Sequence, residues 1–306
     1  MNKLIRCWFI TLLLFLVSGH TYSMQPYIIG VTDTISVEQP DAYSWQSITL
    51  SHTFNEPVVF MQVISRNSES PVHIRIRNVQ PDSFQFKMEE WYYQDGYHEY
   101  ETINYVVLER GTHSLYNGTI EVGLTNVNHY FRTVWFNSIR PDPVVFSQAQ
   151  TFYGWQPIVT RQKNVNFYSF TVKLQEEERL GYHPTETVGY MILNNSTASN
   201  DGAYLCPNFI CAIYTQDITS VTHLGGTITN LLPFIGVPSL LASMQTYNGP
   251  NTADTRLEYE PYSETAEVFI EEERSRDDEI AHIGESIGAF FFESDGSNGN
   301  TLYGFQ

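Results

Sequence analysis

Apolar and polar residues alternate in short runs along most of this chain. Val72, Ile74 and Ile76 alternate with His73, Arg75 and Arg77, and Phe84, Phe86 and Met88 alternate with Gln85, Lys87 and Glu89. That two-residue period is the mark of a half-buried strand. Val58 to Ile64 is an apolar run, Trp45, Ile48 and Leu50 begin an earlier strand, and Ile103, Tyr105 and Val107 close a later one. Turn signals separate the runs at Asn55-Glu56-Pro57, Asn67 to Pro71, Pro81-Asp82 and Asp95-Gly96. No stretch sustains a helical period. Five or six short antiparallel strands in fewer than about a hundred residues predict a β-sandwich, each sheet with one wet face and one packed face.

The pattern recurs. The stretch from Met88 to Val107 returns from Leu174 to Ile192 and from Ile270 to Phe291, each time as an apolar strand end, a run of carboxylates, a polar loop and His-x-x-Glu leading into a second apolar run. A proline precedes an apolar run at Pro57, Pro143 and Pro238, and an arginine follows eighteen residues later every time, at Arg75, Arg161 and Arg256. A repeat of about a hundred residues in a 306-residue chain means three copies of one small domain. The expected fold is all-β, three tandem small antiparallel β-sandwich domains over residues 24–118, 119–211 and 212–306.

Lys3 and Arg6 precede an apolar run from Cys7 to Val17, with small residues at Ser18, Gly19 and Ser23. This is the layout of a secretory signal over residues 1–23, too short to span a bilayer, and no later segment is long enough either. The expectation is a secreted, periplasmic or cell-surface protein without a transmembrane segment. A formal net charge of −18 repels nucleic acid and anionic membrane and leaves neutral ligands and cations as partners. Cys206 and Cys211 remain after signal removal, and in an oxidising compartment they are expected to bond to each other.

Six residues after Phe84, Phe170 and Ala266 stand Glu90, Glu176 and Glu272, and each copy then adds His98 and Glu101, His183 and Glu186, or His282 and Glu285. One imidazole and two carboxylates per copy suit either a divalent cation such as calcium or a polar cluster closed on itself, and the second is favoured because a lone His-x-x-Glu is a weak metal signal. Glu177, Glu178, Glu271 and Glu273 read as solvated charge. Paired carboxylates such as Glu176 and Glu178 would serve a glycosidase only across a cleft, which small sandwiches rarely offer. No nucleophile elbow, phosphate-binding glycine loop or paired-histidine zinc motif is present, so no enzyme is expected and no cofactor is required.

The order Pro57-Val58-Val59, Arg75, Pro81-Asp82-Ser83-Phe84, Trp91 resembles the H-type lectin domain of snail agglutinins. The resemblance implies six-stranded sandwiches that associate as trimers and bind galactose or N-acetylgalactosamine near protomer contacts, through the arginine, the tryptophan, the next residue and a nearby tyrosine. Carried over, these are Arg75, Trp91, Tyr92 and Tyr97, with Tyr92 standing where the family has histidine, and Arg161 and Arg256 in the other copies. The tryptophan position holds Glu177 and Glu273 there, so the best-preserved site is in the first copy. The resemblance also implies that the three copies close around a pseudo-threefold axis within one chain. Two functions follow as expectations: a carbohydrate-binding protein, or a surface scaffold whose His/Glu clusters are structural. On the sandwich reading alone, Arg75 makes a cross-strand ion pair with Glu89 and Trp91 caps the sandwich.

Overall fold

The computed structural model describes residues 25–194, 204–205, 211–229, 237–260, 263–294 and 300–305. The expected signal segment, residues 1–23, and Cys206 lie outside them, while Cys211 is buried just before the third copy's first strand. The first unit contains β1 (Pro26–Gln39), β2 (Gln46–Thr49), β3 (Pro57–Val63), β4 (Val72–Gln80), β5 (Ser83–Glu90) and β6 (His98–Glu109), followed by a tail strand β7 (Gly111–Leu115). The second contains β8 (Gly118–Val127), β9 (Arg132–Trp135), β10 (Pro143–Ala149), β11 (Val159–Lys163), β12 (Ser169–Gln175) and β13 (Glu186–Asn194), with tail strand β14 (Tyr204–Leu205). The third contains β15 (Ala212–Val221), β16 (Gly226–Thr229), β17 (Ser239–Met244), β18 (Ala253–Glu258), β19 (Thr265–Glu272) and β20 (Glu285–Glu293), with tail strand β21 (Thr301–Phe305). No helix occurs among the described residues.

Each unit stacks one three-strand antiparallel set on another. The inner sets run β1-β6-β3, β8-β13-β10 and β15-β20-β17, and the outer sets β2-β5-β4, β9-β12-β11 and β16-β19-β18. Alternation explains the packing between them. Val59, Met61, Ile74, Ile76, Phe84 and Phe86 point between the sheets of the first unit and form its core, and corresponding clusters fill the other two.

A fourth core lies where the units meet. Val58 and Phe60, Val144 and Phe146, and Leu241, from the three proline-led strands, join Val106, Met191, Phe290 and Phe292 in one buried cluster drawn from all three units. Those strands are therefore buried on both faces, which is why they read as apolar runs. The three sandwiches are closed around a common centre, as in an intrachain pseudo-trimer, and the expectation of a wet outer face on every sheet is corrected accordingly. His73 and Arg75 share the face opposite Ile74, yet both are buried because a neighbouring unit covers them.

The tails complete the ring. β7 pairs with β8, β14 with β15, and β21 returns to pair with β1, Pro26 to Val31 lying against Phe305 to Thr301. Each unit's first strand thus receives the tail that follows the preceding unit, and for the first unit that tail is the far end of the chain. The boundary expected between residues 118 and 119 falls inside β8, and β21 between β1 and β7 merges the inner sheets of the first two units into one of eight strands.

Candidate functional site

The three arginines do not converge on a solvent site. Each crosses into the next unit and is buried to about the same degree. Arg161 Nη1 donates to Asn251 O at 2.6 Å, and its Nη2 reaches Gly249 O at 3.2 Å and Glu285 Oε1 at 3.2 Å. Arg256 Nε donates to Ser65 O at 3.0 Å and its Nη2 to Glu101 Oε1 at 2.6 Å. Arg75 Nη1 donates to Gln156 O at 2.9 Å and to Glu89 Oε2 at 3.1 Å, and its Nη2 stands 3.6 Å from Glu186 Oε1. The expected Arg75–Glu89 pair is present, but inside an interface rather than on a solvated face.

The carboxylate each arginine meets is the glutamate of His-x-x-Glu. His98 Nδ1 is 2.9 Å from Glu90 Oε1 and Nε2 is 3.3 Å from Glu101 Oε1. His183 is held between Glu176 at 2.8 Å and Glu186 at 3.2 Å, and His282 between Glu272 and Glu285, the latter at 3.2 Å. The loop after the proline-led strand wraps the same glutamate: Thr151 Oγ1 with the Tyr153 and Gly154 amides donates to Glu186, and Thr246 Oγ1 with the Asn248 and Gly249 amides donates to Glu285. Ser65 Oγ and the Asn67 and Ser68 amides do the same for Glu101. Gly154 and Gly249 permit this closeness, since a Cβ would lie 2.4 Å from the His183 ring at one and 2.6 Å from the His282 ring at the other. Burial pushes the Glu101 carboxyl up, but the His98 contact, the Arg256 charge and the loop donors outweigh it and hold the pKa at about 2.

This arrangement fits an arginine rather than a divalent cation. Both ring nitrogens are taken, the glutamate oxygens are filled by hydroxyl, amide and guanidinium donors, and no group of three or more His, Cys, Asp or Glu among the described residues is set to hold a metal. The nine His/Glu residues form three interface clamps. Sequence spacing found their members but not the cross-unit arginine that completes them.

The carboxylates read as solvated charge are also drawn into contacts. Glu177 accepts the Tyr92 amide and Glu273 Oε1 accepts the Glu178 amide at 2.7 Å, both glutamates being buried, while the Arg274 amide donates to Tyr93 Oη at 3.0 Å. One backbone donor per unit is thus received by the side chain of the next. Glu271 Oε2 lies 3.7 Å from Arg256.

Trp91 is 2% exposed, its ring 4.6 Å from that of His73, so it closes the sandwich end as the sandwich reading expected. Tyr92, by contrast, is 43% exposed and faces an open cleft of about 450 Å³ between the first and second units. Trp155, from the loop after β10, packs against it 69% exposed, with ring centroids 5.1 Å apart, and Tyr92 Oη donates to Trp155 O at 2.8 Å. Tyr43, at 87% exposed, and Trp45 complete an aromatic wall, with Trp45 set edge-on to Phe152 at 5.0 Å. Lys87 Nζ is tied to Glu89 Oε1 at 2.8 Å, and Gln94 and Asp95 line the rim. Tyr97, exposed just before β6, does not line the cleft. Trp155 and Tyr43 escaped sequence reasoning because they come from loops, and Trp45, read as the start of a strand, lies one residue before β2.

The fold and this cleft define a ring of three β-sandwiches with an aromatic groove at a unit boundary. Among curated proteins the chain is similar to halomucin of Haloquadratum walsbyi, 28% identical over 276 residues, which is 84% of this chain but 3% of that protein. No family model matches the chain, and no solved structure matches it. No helix among the described residues is long and apolar enough to cross a membrane.

Proposed function

We propose that this chain is a non-enzymatic carbohydrate-binding module of an exported or cell-surface protein, its ligand held in the cleft between the first and second units. The carrying observation is the exposed ring system of Tyr92, Trp155 and Tyr43 around a cavity of about 450 Å³. The apolar face of a pyranose stacks on such rings while its hydroxyls meet polar groups at the rim, here Gln94 and Asp95. The H-type lectin resemblance supports a sugar site at a unit boundary, with galactose or N-acetylgalactosamine as first candidates, though the contacts now fall to Tyr92 and Trp155 rather than to Arg75 and Trp91. A relative named as a mucin is compatible with surface export.

The scaffold reading has one observation in its favour: Arg75, Arg161, Arg256 and Trp91 are consumed by internal contacts. A glycan array separates the two. Binding by the intact chain that falls roughly five- to tenfold in Trp155→Ala, an exposed position whose loss leaves the fold alone, supports the module. No glycan bound by the folded chain leaves the scaffold.

A further inference from the structure

The three unit boundaries are not equivalent, and at one set of matched positions the third reverses the other two. At the first boundary Phe152 of unit two receives Arg75 with Cζ 4.7 Å from its centroid and Lys87 with Nζ at 4.9 Å. At the second, Tyr247 of unit three receives Arg161 at 4.6 Å and Lys173 at 4.6 Å. The aromatic stands nine residues after the proline, and the lysine is the cross-strand partner of the arginine. In both, a second ring from the cation-bearing unit, Trp45 or Phe131, packs edge-on against that aromatic at 5.0 and 5.2 Å.

At the third boundary the roles are exchanged. The position nine residues after Pro57 is Arg66, and the cross-strand partner of Arg256 is Phe269. Arg66 Cζ lies 4.9 Å from the Phe269 centroid, so the cation now comes from the receiving unit and the ring from the donating one. Two further positions change in step. Gly225 replaces Trp45 and Phe131, and a Cβ there would lie 2.8 Å from the Phe269 ring, so the vacated space is what Phe269 fills. Arg77 and Lys163, which lie 3.9 Å over Trp45 and 3.9 Å over Phe131, are matched by Glu258. Arg256, deprived of its ring, sets Nη1 3.7 Å from Glu271.

We propose that the third boundary is a lock with reversed partners, whose face on unit one accepts unit three and rejects the other two. Placed on unit one, the edge of unit two would bring Lys173 and Arg161 against Arg66, cations without a ring between them. Placed on unit two, the edge of unit three would set Phe269 against Phe152 without the lysine. Specificity of this kind comes from the mismatched pairings as much as from the matched one. It makes the order of units part of the sequence and directs β21 to a first unit rather than to a second or third.

The test is a double-mutant cycle in the full chain, read by thermal unfolding. Arg66→Phe alone and Phe269→Lys alone each lower the midpoint by about 2–4 °C. Together they rebuild the pattern of the other boundaries, a lysine and Arg256 over a phenylalanine, and recover at least half of the summed loss. A milder cycle, Arg66→Gln with Phe269→Leu, keeps bulk at both positions and serves if either first variant does not fold; the two losses then overlap rather than add. Simple additivity in the cycle that folds overturns the lock.

Discussion

Charge at single residues sets two opposing responses to pH. Glu101 and Glu285 are both held at about 2 against the upward push of burial, by His98 with Arg256 in one case and His282 with loop donors in the other. Their contribution is complete above the ordinary glutamate value of about 4.3 and is lost as pH falls from there through about 2. Asp254, pushed up to about 6 by burial, and Asp217, pushed up to about 7 by burial and by Asp142, act the other way. The folded state holds their protons more tightly than the unfolded one, so stability falls as pH rises from about 4 through these values. His98 is raised: burial pulls it down, but Glu101 and Glu90 lift it further, and its contribution is present below about 6.5 and lost above. Chemical denaturation across pH should therefore show a maximum near about pH 4, where the glutamate gain ends and the aspartate loss begins, with the acid limb steepest between about 4 and 2. A profile rising steadily to pH 8 would contradict these assignments. The register of these residues was legible in the sequence, since equal spacing from proline marked the arginines and His-x-x-Glu marked the clamps. Their direction was not, because a pattern along one strand cannot tell a face wetted by water from one covered by another unit.

At the scale of strands, patterning identified the sandwich and the proline-led runs but missed every tail. β7 carries His113 and Leu115 inward in only five residues, and β21 is as short, so neither shows enough alternation to stand out. Their pairing is supplied by a different unit, which local sequence does not encode. The glutamines at the ends of the central strands show the same limit. Gln150 accepts the Val59 amide at 2.9 Å and donates to Val59 O at 2.7 Å, and Gln245 does likewise for Val145 at 2.9 and 2.8 Å. Gln62 stands five residues after its proline rather than seven, in register with Gln148, and donates to Thr255 O at 2.8 Å. The first unit has no glutamine at the matched position: seven residues after Pro57 stands Ile64, which packs into the third unit's core instead. Removal of β21 should be costly, because Leu302 lies in the shared core and both β1 and β7 are left with bare edges. A chain ending before Thr301 should unfold about 4–8 °C lower, from the lost leucine burial alone. It should also elute from size exclusion partly as dimers or larger species, through the exposed strand edges. Unchanged melting and a monomeric profile would mean that the ring closes without this strand.

Across the whole molecule, threefold repetition has produced three clefts that are no longer alike. Where the first boundary offers Tyr92 and Trp155, the matched positions are Glu178 and Pro250 at the second and Arg274 and Glu69 at the third. The second cleft remains open, about 340 Å³, but its wall is Glu177, Glu178 and Lys173 rather than stacked rings, and the third has shrunk to about 40 Å³ beside the Arg66–Phe269 contact. A sugar face needs rings to stack on, and of the three boundaries only the first lines its cleft with exposed rings from both units. Repetition in this chain therefore builds the ring and does not multiply the site, so avidity within one molecule is not expected. Titration calorimetry with a glycan identified on the array should give one site per chain, abolished by Trp155→Ala together with Tyr92→Ala and unaffected by Glu178→Gln. Two or three equivalent sites would mean that stacking is not what holds the ligand, and one site that survives the aromatic substitutions would move it to the carboxylate-lined second cleft.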